Sequence, residues 1–151
     1  MNIIIALLTF GIMEFVAWSA HKYLMHGWLW NLHEDHHTKT NHHKPFEQND
    51  AFFVIFATPA ILCFALGSYY VIPYLIAIGS GISAYGLCYF LVHDIFIHQR
   101  IKWFKRSDNF YLRAIRKAHK MHHKHLGKED GECFGMLLVP FFYFKNELKS
   151  K

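Results

Sequence analysis

The chain has 151 residues, 53% of them apolar, a net charge of +5 and only three cysteines. That length is one domain's worth, so residues 1–151 are expected to form a single domain. The cysteines, Cys63, Cys88 and Cys133, are odd in number and not closely paired, which argues against a disulfide framework. The positive charge needs no nucleic acid as a partner, because an anionic membrane leaflet accounts for it.

The first predicted element is a membrane helix over residues 3–20. It carries a single charge, Glu14, and the opening "MNIII" lacks the basic region of a cleaved signal. A carboxylate in a membrane span costs roughly 2.5 to 3.5 kcal/mol at the centre, so Glu14 should face protein or a polar cavity. It lies two turns before His21 on nearly the same face. A role near a site there and a hydrogen-bonded packing role both remain open.

Residues 51–92 contain no Asp, Glu, Lys or Arg. Gly67-Ser68 and Pro73 divide this run into two further predicted spans, 51–66 and 71–92, each long enough for a bilayer core of roughly 30 Å. The sixteen Lys and Arg residues all fall outside the spans. With three crossings they share one face, which the positive-inside rule assigns to the cytoplasm. In a bacterium this is the inner membrane. A fourth apolar stretch, "FGMLLVPFFYF" over 134–144, reaches only about 16 Å as a helix, so a re-entrant or interfacial segment is expected, with a fourth span as the alternative. The fold class that follows is all-α: an integral membrane bundle of three to four helices with a histidine-rich helical cap.

Thirteen histidines are far more than a core of this size requires, and their spacings repeat. "HKYLMH" (His21, His26) is followed by "HEDHH" (His33, His36, His37), and "HDIFIH" (His93, His98) by "HKMHH" (His119, His122, His123). Each half reads H-x4-H and then H-x2-H-H, starting where a membrane helix ends. On an α-helix, positions i, i+3 and i+4 share a face, so each H-x2-H-H directs three imidazoles together. The H-x4-H pairs turn about 140° on a straight helix. Each such pair is therefore expected to serve two different metals or to sit at a frayed end, unless the helix bulges.

Ten histidines divided between two metals give about five each, with room for a further ligand. A closed structural zinc site would use four ligands, usually with cysteine, and does not fit. His42, His43 and His125 fall outside the repeat and are expected to be bystanders. Asp94, beside His93, is the best-placed carboxylate to orient an imidazole. Glu34 and Asp35 are equally close in sequence to their histidines, but a solvated helix face explains them as well. Gly79 to Gly86, in "IGSGISAYG", permit close helix approach or a slot for a rod-like ligand. Trp28, Trp30, Tyr85 and Tyr89 are candidates either to line such a slot or to sit in an interfacial belt.

The stretches "AHKYLMHG", "HEDHH", "AYGLCYFLVHDIFIHQR", "AHKMHH" and "ECFG" resemble the membrane fatty acid hydroxylase and sterol desaturase superfamily. Within it they are most similar to the bacterial β-carotene hydroxylases, over nearly the whole chain. The resemblance implies a membrane mono-oxygenase with two iron ions held by the ten histidines of the repeat, using O2 as co-substrate. It implies hydroxylation at C3 of the β-ionone ring, from β-carotene through β-cryptoxanthin to zeaxanthin. It also implies an apolar carotenoid taken from the bilayer and electrons from a separate cytoplasmic donor such as ferredoxin. Zinc from a preparation would also suit imidazole ligands. The alternatives are a fatty acyl or sterol-like lipid at the same two-iron site, a membrane haem protein, or a metal-binding or transport protein.

Overall fold

The computed structural model describes residues 1–38, 46–104 and 106–149. The described residues are helical, without strands. Helix α1 spans Asn2–Ala20 and continues into a π-helical segment, His21–Trp28. Helix α2 covers Trp30–Thr38, and a 3₁₀ turn at Gln48–Asp50 leads into α3, Ala51–Tyr69. Helix α4, Pro73–Phe90, likewise runs into a π-helical segment, Leu91–Ile97. Two shorter helices complete the chain: α5, Phe110–His122, and α6, Phe141–Lys149.

Three helical stretches, Asn2–Trp28, Gln48–Tyr69 and Pro73–Ile97, are long and apolar enough to cross a membrane. Their exposed faces carry large apolar side chains such as Leu7, Phe15, Phe53, Ile61 and Leu87, the signature of a bundle solvated by lipid rather than water. The chain is a membrane protein. Two of the spans end beyond the predicted limits of 20 and 92, because the π-helical segments carry the helices on through the first histidines.

The break between α3 and α4 also differs from expectation. Helix α3 runs straight through Gly67 and Ser68 and ends at Tyr69. The reversal is made at Val71, with φ at 56°, and Pro73 opens α4 at the position where its missing N–H costs nothing. Gly67 is needed for packing instead: a Cβ there would stand 2.9 to 3.1 Å from Leu75 and Ile76. Gly79 and Gly81 act similarly. A Cβ on Gly81 would lie 2.5 Å from the Ala6 carbonyl oxygen of α1, and one on Gly79 would lie 3.2 Å from the Ala60 carbonyl of α3. Gly86 faces open space. The small residues of α4 are therefore contact points with both neighbouring helices.

The 134–144 stretch forms no fourth span. Phe134–Val139 is non-helical, and α6 is only nine residues long. Arg113 of α5 donates to the Glu147 carboxylate at 2.8 Å and Lys117 at 3.2 Å, clamping α6 to α5. Ala114 and Ala118 are fully buried under Tyr143. Helices α1 and α4 end, and α3 begins, at the same end of the bundle, and α2 and α5 close over that end.

Candidate metal centre

His21 and His26 lie in the first π-helical segment, just before a non-helical kink at Gly27, and His93 lies in the second, with His98 as its C-cap. The His98 N–H donates to the His93 carbonyl and the Leu29 N–H to the Leu24 carbonyl, each at 2.8 Å and each five residues apart. Such i→i+5 bonding widens the helix and brings residues five apart onto one face. The ring centroids of His21 and His26 stand 5.3 Å apart, and those of His93 and His98 stand 4.4 Å apart. Each pair thus stays together, which corrects the expectation that it would be divided between metals or frayed. The bulge removes the 140° splay on which that expectation rested.

The H-x2-H-H triplets are the ones that divide. Donor atoms of His21, His26, His33, His37 and His122 lie within 4.8 Å of one another, and those of His36, His93, His98 and His119 form a second such group. Within each triplet the i and i+4 residues are about 40° apart around the helix, whereas the i+3 residue points about 100° from the i+4 one. His33 and His37 therefore join the first group and His36 the second. His119 joins the second group and His122 the first. His123 stands beside the second group, with ring centroids 4.6 Å from His119 and 4.8 Å from His36 and His98, and it also stacks on His37 at 4.4 Å. Its Nε2 is buried without a partner, as is Nδ1 of His119.

The orientation of the rings follows one rule. From Nδ1, His21 donates to the Phe134 carbonyl (3.0 Å), His26 to that of Lys128 (3.2 Å), His37 to that of His125 (3.0 Å) and His122 to that of Glu132 (2.7 Å). His33 donates to the Asn49 side-chain oxygen at 2.7 Å, His36 to Glu47 at 2.9 Å and His93 to Asp94 at 3.2 Å. These oxygens only accept, so the Nδ1 atoms carry the protons and each Nε2 presents a lone pair. The Nε2 atoms face one another: His21 and His33 at 3.2 Å, His26 and His37 at 3.2 Å, His26 and His122 at 3.3 Å, His33 and His37 at 3.2 Å, and His36 and His93 at 3.1 Å. Lone pairs opposed at this distance repel unless a cation lies among them. The donor set fits a metal in each group.

Burial favours the neutral form, the one that binds metal, in six of these imidazoles. Desolvation lowers His37 to about 4, His122 to about 3, and His33 and His98 to about 2, and holds His36 and His119 well below the ordinary range, with neighbouring histidines adding to the effect. The Phe134 ring lies 5.2 to 5.5 Å from His21, His26 and His122, and Trp30 lies 5.1 to 6.0 Å from His26, His33 and His37. These two rings exclude water from the first group. Of the other candidate aromatics, Tyr89 packs on His93 at 4.9 Å, Tyr85 is buried, and Trp28 is exposed at the surface.

Asp94 stands against His93 Nδ1, as its position in sequence suggested. Glu34 is exposed, and Asp35 accepts the Gln48 N–H at 2.7 Å rather than any imidazole proton. His42 and His43 lie outside the described residues. The His125 imidazole faces Glu132 at 3.5 Å and joins neither group; only its carbonyl serves His37. Glu47, Asn49 and Phe134 were not foreseen, because nothing in their local spacing reports contacts made through the fold, and Trp30, a candidate for a slot or a belt, packs on the histidines instead. Glu14 binds the chain near the site: its oxygens accept the N–H groups of Met136, Leu137 and Leu138 at 2.8 to 3.1 Å and the Tyr85 hydroxyl at 2.7 Å. Cys133, between the two carbonyls that hold His122 and His21, adopts φ of 57°, a costly conformation for a residue with a Cβ.

Residues 6–142 match the fatty acid hydroxylase family. The chain belongs to that family. It is 44% identical over 139 residues to a β-carotene hydroxylase of Pantoea ananas, covering 92% of this chain and 78% of that one. It is 36% identical to a β-carotene hydroxylase of Paracoccus sp., covering 91% and 83% respectively. A chloroplastic β-carotene 3-hydroxylase of Arabidopsis thaliana is 39% identical over 85% of this chain and 41% of its own length. No solved structure matches. The family membership identifies a membrane-bound hydroxylase, and its two histidine groups are compatible with metal binding.

Proposed function

We propose that the chain is a β-carotene 3-hydroxylase that converts β-carotene through β-cryptoxanthin to zeaxanthin, with residues 1–151 acting as one membrane-embedded hydroxylase domain. The observation that carries this reading is the pair of inward-facing imidazole groups at the ends of lipid-exposed helices, in a chain whose relatives bear that name. His21, His26, His33, His37 and His122 would hold one iron ion. His36, His93, His98 and His119, with His123 beside them, would hold the other. Iron bound there supplies the oxidising power, with O2, to hydroxylate an unactivated C–H bond.

The overall balance is R–H plus O2, two electrons and two protons, giving R–OH and water. The two electrons are assigned to a separate donor such as a ferredoxin. With the basic residues at the histidine end, the positive-inside rule sets that end in the cytoplasm, and a bacterial inner membrane is the matching location. The protein's contribution is to fix seven of these imidazoles, each by an acceptor at Nδ1, and to keep water from the first group with Phe134 and Trp30. Beside the helix carrying His93 and His98, an apolar cavity of about 380 Å³ is lined by Leu91, Val92, Ile95, Phe96, Trp103, Phe104 and Leu112. A carotenoid ring arriving through the bilayer would meet apolar surface there.

A fatty acyl or sterol-like substrate is the second reading, favoured by the family match itself. A haem centre fits poorly, since rings packed 4.3 to 5.7 Å apart leave no gap for a macrocycle. Metal transport fits poorly too, since Glu14, the ionisable residue within the first span, is engaged by four donors. The test is expression in bacteria that accumulate β-carotene, with chromatography of the pigments. Zeaxanthin and its mono-hydroxylated precursor are expected. Unchanged β-carotene beside inserted, iron-loaded protein would overturn the carotenoid assignment in favour of the second reading.

A further inference from the structure

The two histidine groups differ in what holds their outer nitrogens. In the first, four Nδ1 atoms donate to main-chain carbonyls and the fifth to the amide oxygen of Asn49. Every one of these acceptors is neutral. In the second, His36 donates to the Glu47 carboxylate and His93 to the Asp94 carboxylate. Arg100 joins them into one network, donating to Asp50 at 2.5 and 2.8 Å and to Asp94 at 3.1 Å, while Asp50 accepts the Glu47 N–H at 3.0 Å. Three carboxylates against one guanidinium leave this shell net negative.

Resting on the reading of both groups as metal sites, we propose that the His36, His93, His98 and His119 group is the tighter of the two and fills first. An imidazole donating to a carboxylate is a stronger base, and a stronger ligand, than one donating to a carbonyl. The residual negative charge also attracts a divalent cation through a poorly hydrated interior, where charges interact strongly. The count of donors, five against four, favours the other group. His123, whose buried Nε2 has no partner, offsets that difference. Ligand number is then matched, and the charge of the surrounding shell decides the order.

The test uses the full chain in detergent, stripped by chelator and titrated anaerobically with cobalt(II), its visible bands reporting imidazole ligation. Two equivalents with separated constants are expected. The double substitution Glu47→Gln with Asp94→Asn should weaken the tighter equivalent by roughly 10- to 100-fold and leave the weaker one in place. Asn49→Asp sets a carboxylate against His33 and should strengthen the weaker equivalent by a similar factor, an outcome that misfolding does not mimic. Two equivalents whose constants ignore both changes, or a double substitution that shifts the weaker step, would overturn this inference alone. A native chain that binds no cobalt would overturn the metal-site reading and this inference with it.

Discussion

The carboxylate of Glu14, in the first membrane helix, accepts the backbone N–H of Leu137, 123 residues further along, at 3.0 and 3.1 Å. Through this contact α1 fixes the non-helical segment whose carbonyls, at Glu132 and Phe134, orient His122 and His21. Replacing Glu14 with Ala orphans three main-chain donors, each costing about 1–3 kcal/mol where it is buried. The expected outcome for Glu14→Ala is loss of bound iron and of hydroxylated product with the protein still inserted. Glu14→Gln, which keeps an acceptor oxygen, should retain part of both. Full iron content in Glu14→Ala, measured by elemental analysis, would remove the positioning role.

The division of the triplets predicts unequal partners within one motif. His36→Ala and His37→Ala alter adjacent residues but different groups, so each should remove about one equivalent of metal and leave the other bound. His122→Ala should match His37→Ala rather than His119→Ala. All should abolish hydroxylation, whereas His125→Ala, which changes no main-chain carbonyl, should be nearly silent. Loss of both equivalents from every single replacement would show that the groups do not bind independently.

Packing of α4 supplies a control pair. Gly81→Ala places a methyl group 2.5 Å from a main-chain oxygen of α1 that has little freedom to move. Overpacking of this kind costs about 1–3 kcal/mol. Gly86→Ala meets nothing within 4 Å and should be neutral or slightly stabilising. Thermal unfolding of the two variants in detergent separates them; equal midpoints would contradict the close helix contact.

Acid should destabilise the metal-free chain. Burial lowers His37 to about 4 and His122 to about 3, from an ordinary value of 6.5. Between pH 6.5 and about 4 the unfolded chain therefore binds protons that the folded chain refuses, so stability rises with pH. It is fully present above pH 6.5 and is lost progressively as the pH falls towards 4. Unfolding midpoints of chelator-treated protein across that range check the sign, and a midpoint that rises on acidification would refute it.

The sequence by itself determined the three membrane crossings, because an uncharged apolar run long enough to span the hydrocarbon has few other places to go. It also singled out ten histidines, through a spacing that occurs twice in the same order, and the fold gathers nine of them into two groups. Even the division of each triplet was latent in it, since the 100° step of an α-helix turns i+3 away from i+4. The tertiary structure alone decided three other things. The H-x4-H pairs converge because the helix ends widen into π-helical turns, a choice made by packing and not by local propensity. Gly67 lies inside a helix, because α4 needs its missing Cβ more than the chain needs a break. The acceptors that fix each imidazole, Phe134, Glu132, Lys128, Asn49 and Glu47, come from loops up to 113 residues from their histidines. Such hydrogen bonds are a property of how segments meet, and no periodicity along the chain records them.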